Sequence, residues 1–191
     1  TGIGEILYEG ISSNNISEDD LILVNRDIGA HGATIFAARE GMDMNSNLKS
    51  DCNSLYPQVK ALIDSGIKIT ALRDATRGGV SAVLNEWAKQ SNICIEVDEE
   101  KIPLCDEVRG ICEMLGFEAT NLANEGTFVL AIPKDDVVKA IEVLHGFPEA
   151  SNACIIGKVT QQYNKKVILN SSWGTKRFLD TPTGELLPRI C

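Results

Sequence analysis

Residues 67–88 read Ile67-Lys-Ile-Thr-Ala-Leu72-Arg73-Asp74-Ala75-Thr76-Arg77-Gly78-Gly79-Val80-Ser-Ala-Val83-Leu84-Asn-Glu-Trp87-Ala88. Ile67 to Leu72 has the composition of a strand. Val80, Val83, Leu84, Trp87 and Ala88 recur at i, i+3, i+4, i+7 and i+8, the apolar stripe of an amphipathic helix. Two glycines separate them, so strand, tight turn and helix follow within about twenty residues. This unit points to a sheet covered by helices.

The same alternation extends in both directions. Leu21-Ile22-Leu23-Val24 is a short apolar run that reads as a buried strand, followed by Asp27-Ile28-Gly29-Ala-His31-Gly32 and a helix ending near Gly41, a plausible C′ glycine. A second helix carries Leu55, Val59, Leu62 and Ile63 on one face, with Asp51 placed to cap its start. Ile93, Ile95 and Val97 alternate as a half-buried strand. Val108, Ile111, Cys112 and Leu115 form a helical stripe closed by Gly116. Thr127 to Ile132 is a strand stopped by Pro133, and Val137, Ile141 and Leu144 mark a fifth helix. Short strands then follow at Ala153 to Val159, Lys166 to Leu169 and Thr175 to Leu179. The expectation is an α+β fold, a mixed β-sheet covered by helices and finishing in a meander.

The chain has 191 residues, 43% of them hydrophobic, which suffices for one sizeable core. A formal charge of −9 without a basic stripe argues against nucleic acid as partner. No apolar stretch approaches the roughly 20 residues that span a bilayer, and no signal peptide is present, so a cytoplasmic location without a membrane partner is expected. The chain starts at Thr1, which suggests processing or a longer parent protein. Its six cysteines lack zinc-site spacing, and the only histidines are His31 and His145, so no metal site is expected. Most of the thiols read as small buried hydrophobes.

Four segments carry candidate chemistry. In Arg73 to Gly79, the glycines permit close backbone approach, the helix start offers N–H groups to an anion, and Arg77 adds a bidentate donor for phosphate or carboxylate. Asp74 can hold a cation or an amine. There is no GxxxxGK[ST] pattern, and a capped turn is the plainer alternative. In Asn121-Leu-Ala-Asn124-Glu125-Gly126, Glu125 at a strand entrance suits a general base, or is merely an exposed turn residue. His31, between glycines, could bind an anion or move a proton, or simply cap a turn. His145, beside Gly146 at a helix end, complements the helix dipole. Finally, the tail from Thr181 to Cys191 reaches about 35 Å when extended, at roughly 3.3 Å per residue. Its last residue, Cys191, is a thiol with no chain beyond it.

Taken together, Leu72-Arg-Asp74-Ala-Thr76-Arg77-Gly78-Gly79-Val80, Ala123-Asn124-Glu125-Gly126 and the terminal Pro188-Arg189-Ile190-Cys191 closely resemble the HypE family of hydrogenase maturation proteins. Ile28-Gly29-Ala-His31-Gly32 and Lys49-Ser50-Asp51-Cys52 are similar to further motifs of that family. The resemblance runs from about Asp20 to Cys191. Aminoimidazole ribonucleotide synthetase, selenophosphate synthetase and thiamine monophosphate kinase share the architecture without the Pro-Arg-Ile-Cys ending. The resemblance implies an aminoimidazole ribonucleotide synthetase C-terminal-domain-like fold with an extended C-terminal tail. It divides the chain into a linker (1–19), the domain (20–180) and a tail (181–191).

It also implies a chemistry. Cys191 accepts a carbamoyl group from a HypF-like carbamoyltransferase. ATP-dependent dehydration converts the thiocarbamate to a thiocyanate, and the cyano group passes to iron on a HypC–HypD complex. Cys191 and Glu125 are then the catalytic residues, and Asp74, Thr76, Arg77, Gly78 and Gly79 contact the nucleotide or thiocarbamate. His31 and Asn124 are candidate pocket residues. ATP and Mg2+ would be held mostly by a preceding domain, in a protein that dimerises at full length, and this segment alone would be inactive. Two other readings stand beside this one: a docking module without catalysis of its own, and a phosphotransferase relative with an incidental terminal cysteine.

Overall fold

A computed structural model of the chain describes residues 5–42 and 48–182. Cys191 and the tail beyond Pro182 lie outside the described residues. Seven strands form one mixed sheet in the order β2-β4-β1-β5-β3-β6-β7. They are β1 (Leu21–Val24), β2 (Ala71–Asp74), β3 (Cys94–Asp98), β4 (Phe128–Ile132), β5 (Cys154–Thr160), β6 (Lys166–Asn170) and β7 (Lys176–Phe178). The helices are α1 (Ala30–Arg39), α2 (Tyr56–Asp64), α3 (Gly79–Ser91), α4 (Asp106–Leu115) and α5 (Val137–His145).

One sheet face packs on α3. Val80, Val83, Leu84, Trp87 and Ala88 meet Ile22, Val24, Val129, Ile95 and Val167 in a single core, as the i, i+3, i+4 spacing of α3 requires. The other face packs on α2 and α5, where Leu62, Val137, Ala140 and Leu144 cover Leu23, Phe128, Leu130 and Ile132. A third, smaller cluster joins α1 to α4 through Ala33, Ala37, Val108, Ile111 and Leu122.

The strand and helix expectations hold in outline and differ in three places. The second strand starts later than its composition suggests. Lys68 and Ile69 donate their backbone N–H groups to the Asp136 carboxylate and the Tyr8 hydroxyl, Thr70 N–H is the first to reach β4, at Ala131 O, and β2 begins at Ala71. β3 is buried on both faces rather than half-buried, and β5 and β6 pair with its two edges. The closing strands are not a simple meander: β3 inserts between β5 and β6 and pairs with β6 in parallel, leaving only β6–β7 as a hairpin. Parallel pairing joins residues some seventy apart in sequence, which local pattern cannot reveal.

Candidate functional site

Three loops meet at the ends of β1, β2 and β4, and Asn124 is the residue that joins them. Its side chain is fully buried. Its Oδ1 accepts from the Gly29 N–H at 2.7 Å, at the start of α1. Its Nδ2 donates to the carbonyls of Ala75 (2.9 Å) and Leu122 (3.0 Å). The Asn124 N–H also donates to Ala75 O, and Gly32 N–H donates to Ala123 O. Every donor of the amide is used, so Asn124 lies beneath the site and ties its walls together.

The next residue, Glu125, is exposed, and its side chain has no partner among the described residues. Its backbone is held from below by Asp51, which is 3% exposed. The Asp51 carboxylate accepts from Glu125 N–H (3.1 Å), Gly126 N–H (2.9 Å) and the Thr127 hydroxyl (3.0 Å). Asp51 therefore does not cap α2, whose N-cap is Leu55 with no side-chain hydrogen bond. A carboxylate accepting several N–H and O–H donors fixes the loop that carries it and the loop it grips. Gly126 is required by this contact, since a Cβ there would lie 1.8 Å from Asp51 O. Asn25 completes the base by bonding Gly126 O, Phe128 N–H and the Gln58 side chain.

His31 sits half-buried in the first turn of α1. Its Nδ1 is 2.9 Å from Ser50 Oγ, which also accepts the Cys52 N–H. The stretch Ser50-Asp51 thus grips His31 with one residue and the Glu125 backbone with the next, placing both on one rim. His145 lies elsewhere, with Nε2 2.9 Å from Ala153 O.

The wall opposite is the turn that links β2 to α3. Asp74 and Arg77 are exposed, with no partner among the described residues, and Thr76 is half-buried with its carbonyl accepting Gly79 N–H. Gly78 has φ 75° and caps α3 without a side-chain bond, leaving the first-turn amides uncovered by any side-chain oxygen. At Gly79 a Cβ would lie 2.4 Å from Thr120 O and 2.5 Å from Leu122 O, so only glycine lets α3 start this close to the 119–122 segment. The Thr120 Oγ1 and Asn121 Oδ1 atoms buried there have no hydrogen-bond partner among the described residues.

The site therefore joins Asp74, Thr76, Arg77, Gly78 and Gly79 to Glu125 through Asn124, with His31 on the adjoining rim. Asp51, Asn25 and Ser50 were missed as supports. Ser50 and Asp51 had a signal in the Lys49-Ser50-Asp51-Cys52 motif, and Asn25 had only its polarity after the apolar run of β1. A family model described as AIR synthase related protein, C-terminal domain, matches residues 17–170. The chain belongs to that family.

Within the AIR synthase-related family, the chain is 42% identical over 180 residues to the carbamoyl dehydratase HypE of Escherichia coli, covering 94% of this chain and 52% of that protein. A crystal structure of the hydrogenase maturation protein HypE in complex with ATP superposes with a TM-score of 0.93 at 34% identity, covering 98% of this chain and 58% of that one. A HypE–HypF complex matches with a TM-score of 0.86 at 37% identity, covering 92% and 58%. The fold and the resemblance to HypE read from the motifs are both borne out. The chain spans about half the length of the curated relatives it matches. No helix among the described residues is long and apolar enough to cross a membrane.

Proposed function

We propose that this chain is the C-terminal part of a HypE-type carbamoyl dehydratase, with Cys191 as the carrier of the carbamoyl group and Glu125 as a base for its dehydration. One observation carries the reading. Asp74, Arg77 and Glu125 are three charged, exposed side chains without partners among the described residues, on loops that Asn124 and Asp51 lock together. Buried supports under unpaired exposed charges are the arrangement expected of a ligand site. Similarity to HypE bound to ATP and to HypE bound to HypF supports a nucleotide and a carbamoyltransferase as ligand and partner.

The residues on this wall fit a nucleotide phosphate. Arg77 offers a planar fork for phosphate oxygens, Gly78 and Gly79 leave the backbone bare, and the α3 N-terminus favours negative charge. Bound ATP supplies the phosphoryl group that makes the thiocarbamate oxygen a leaving group. In the overall conversion the carbon–oxygen bond breaks, both amide protons depart and a carbon–nitrogen triple bond forms. Glu125 takes a proton from the amide nitrogen, and with no partner for its side chain among the described residues both carboxylate oxygens are available. The described residues include no group of three or more His, Cys, Asp or Glu side chains able to hold a metal ion, and Mg2+ is assigned to the portion of the relatives that this chain does not span.

A HypF-type carbamoyltransferase in the cytoplasm loads Cys191, and a HypC–HypD complex receives the cyano group for iron. The complete protein forms a homodimer, and this segment alone does not dehydrate its cargo. Glu125→Gln in the complete protein separates the steps. Carbamoyl loading of Cys191 stays unchanged, while single-turnover thiocyanate formation slows about 100- to 10,000-fold, the range for removing a general base. Undiminished thiocyanate formation by Glu125→Gln would remove Glu125 from the chemistry.

A further inference from the structure

The imidazole of His31 is only half engaged. Its Nδ1 lies 2.9 Å from Ser50 Oγ, while its Nε2 has no hydrogen-bond partner among the described residues. Ser50 decides which of the two nitrogens carries the proton. Its Oγ already accepts the Cys52 N–H at 3.1 Å, and the acceptor that its own hydrogen meets among the described residues is His31 Nδ1. A ring whose Nδ1 accepts holds its hydrogen on Nε2. His31 therefore presents one unengaged N–H donor from a half-buried position.

Contacts on two sides carry that donor on the same frame as Glu125. On one side Ser50 leads into Asp51, whose carboxylate takes the Glu125 and Gly126 N–H groups. On the other, Gly32 N–H, one residue on from His31, donates to Ala123 O, and Gly29 N–H donates to Asn124 Oδ1. The circuit from His31 through Asp51 and Glu125 back to Gly32 closes on itself.

We propose that His31 is a catalytic residue of the dehydration, donating its Nε2–H to the carbamoyl oxygen while Glu125 takes the proton from the nitrogen of the same group. This rests on the reading of Cys191 as the carrier. The oxygen and nitrogen of a carbamoyl group share one carbon and lie about 2.3 Å apart, so a donor and an acceptor on one rim can hold both. When the carbon–oxygen bond breaks, its electron pair leaves on the oxygen, which departs as phosphate. An N–H fixed there beforehand stabilises the charge that develops. His31 keeps its proton throughout, so the proton balance of the reaction is unchanged. Ser50 is then a positioning residue that acts through Nδ1.

Two amide side chains separate the halves of the ring. In His31→Asn, Oδ1 stands where Nδ1 accepts the Ser50 hydroxyl, and nothing stands at Nε2. In His31→Gln, an amide N–H reaches the Nε2 position and the Ser50 contact is lost. The complete protein is loaded with carbamoyl on Cys191, loading is read by mass, and single-turnover thiocyanate formation is followed. His31→Asn should be slower by about 100-fold, as should His31→Ala, with His31→Gln within about tenfold of the parent, the scale of one donor to a developing anion. A purely structural role reverses the order, since His31→Asn keeps the Ser50 contact. Nitrogen NMR of the rings in this chain gives a second readout without turnover. The expected result is a ring hydrogen on Nε2 of His31, its signal assigned by its loss in His31→Asn. A parent-like rate in His31→Asn, a His31→Gln as slow as His31→Ala, or a ring hydrogen on Nδ1 overturns the proposal. Protein that never loads Cys191 sinks the carrier reading and this proposal with it, whereas loaded protein showing the reverse order sinks the role of His31 alone.

Discussion

Replacing Asp51 with alanine strips three donors of one buried acceptor group: Glu125 N–H, Gly126 N–H and the Thr127 hydroxyl. Hydrogen bonds to charged groups contribute roughly 1.5–3 kcal/mol each and are not additive, and relief of carboxylate burial offsets part of the sum. The loss should be about 3–5 kcal/mol. Asp51→Asn keeps the shape but presents a single acceptor oxygen, and about 2 kcal/mol is expected. If Asp51 instead capped α2, as its sequence position suggests, the loss would be only about 1 kcal/mol and would appear at the start of that helix. Urea unfolding gives the magnitude, and amide hydrogen exchange gives the place. The structure requires faster exchange at Glu125 and Gly126 with α2 protected. A loss near 1 kcal/mol with exchange confined to the first turn of α2 would refute the reasoning.

Two glycine substitutions should be severe for different contacts. Gly126→Ala drives a Cβ into Asp51 O and should destabilise by more than about 3 kcal/mol, read from the urea midpoint. Gly79→Ala meets Thr120 O and Leu122 O at a φ of +60° and should loosen the start of α3 from the 119–122 segment, visible as faster amide exchange there. Burial pushes the Cys112 thiol from 9.0 up to about 11, aided by Glu118 and Glu113, and burial with Asp27 does the same to Cys154. A thiol reagent at pH 8 should therefore modify exposed Cys52 well before either of them. Because these thiols ionise at lower pH when unfolded, their contribution to stability is full below pH 9 and is lost as pH rises towards 11; urea midpoints across that interval check the sign.

How far the sequence could be read depended on the range of the interactions. α3 and β4 were legible because burial of one stripe or of a whole short run leaves a local period. The turn at Gly78-Gly79 was legible for the same reason, with glycines standing where two backbones approach. The role of Asp51 was not, since its three partners lie more than seventy residues away and its own neighbourhood resembles a helix start. The parallel β3–β6 pairing was hidden for a similar reason. Asn124 was picked out by its motif, yet its burial and its three side-chain bonds belong to the tertiary fold. Ser81 and Asn85 look like polar interruptions of an apolar helix until the chain at Leu179 and Asp180 is laid against them.

The most direct test of the account is the mass of the C-terminal peptide after this chain is incubated with a HypF-type carbamoyltransferase, carbamoyl phosphate and ATP. The account predicts a single carbamoyl adduct on Cys191, abolished in Cys191→Ala, with no conversion to thiocyanate by this segment alone. A Cys191 that stays unmodified, or an adduct that persists in Cys191→Ala, would contradict it.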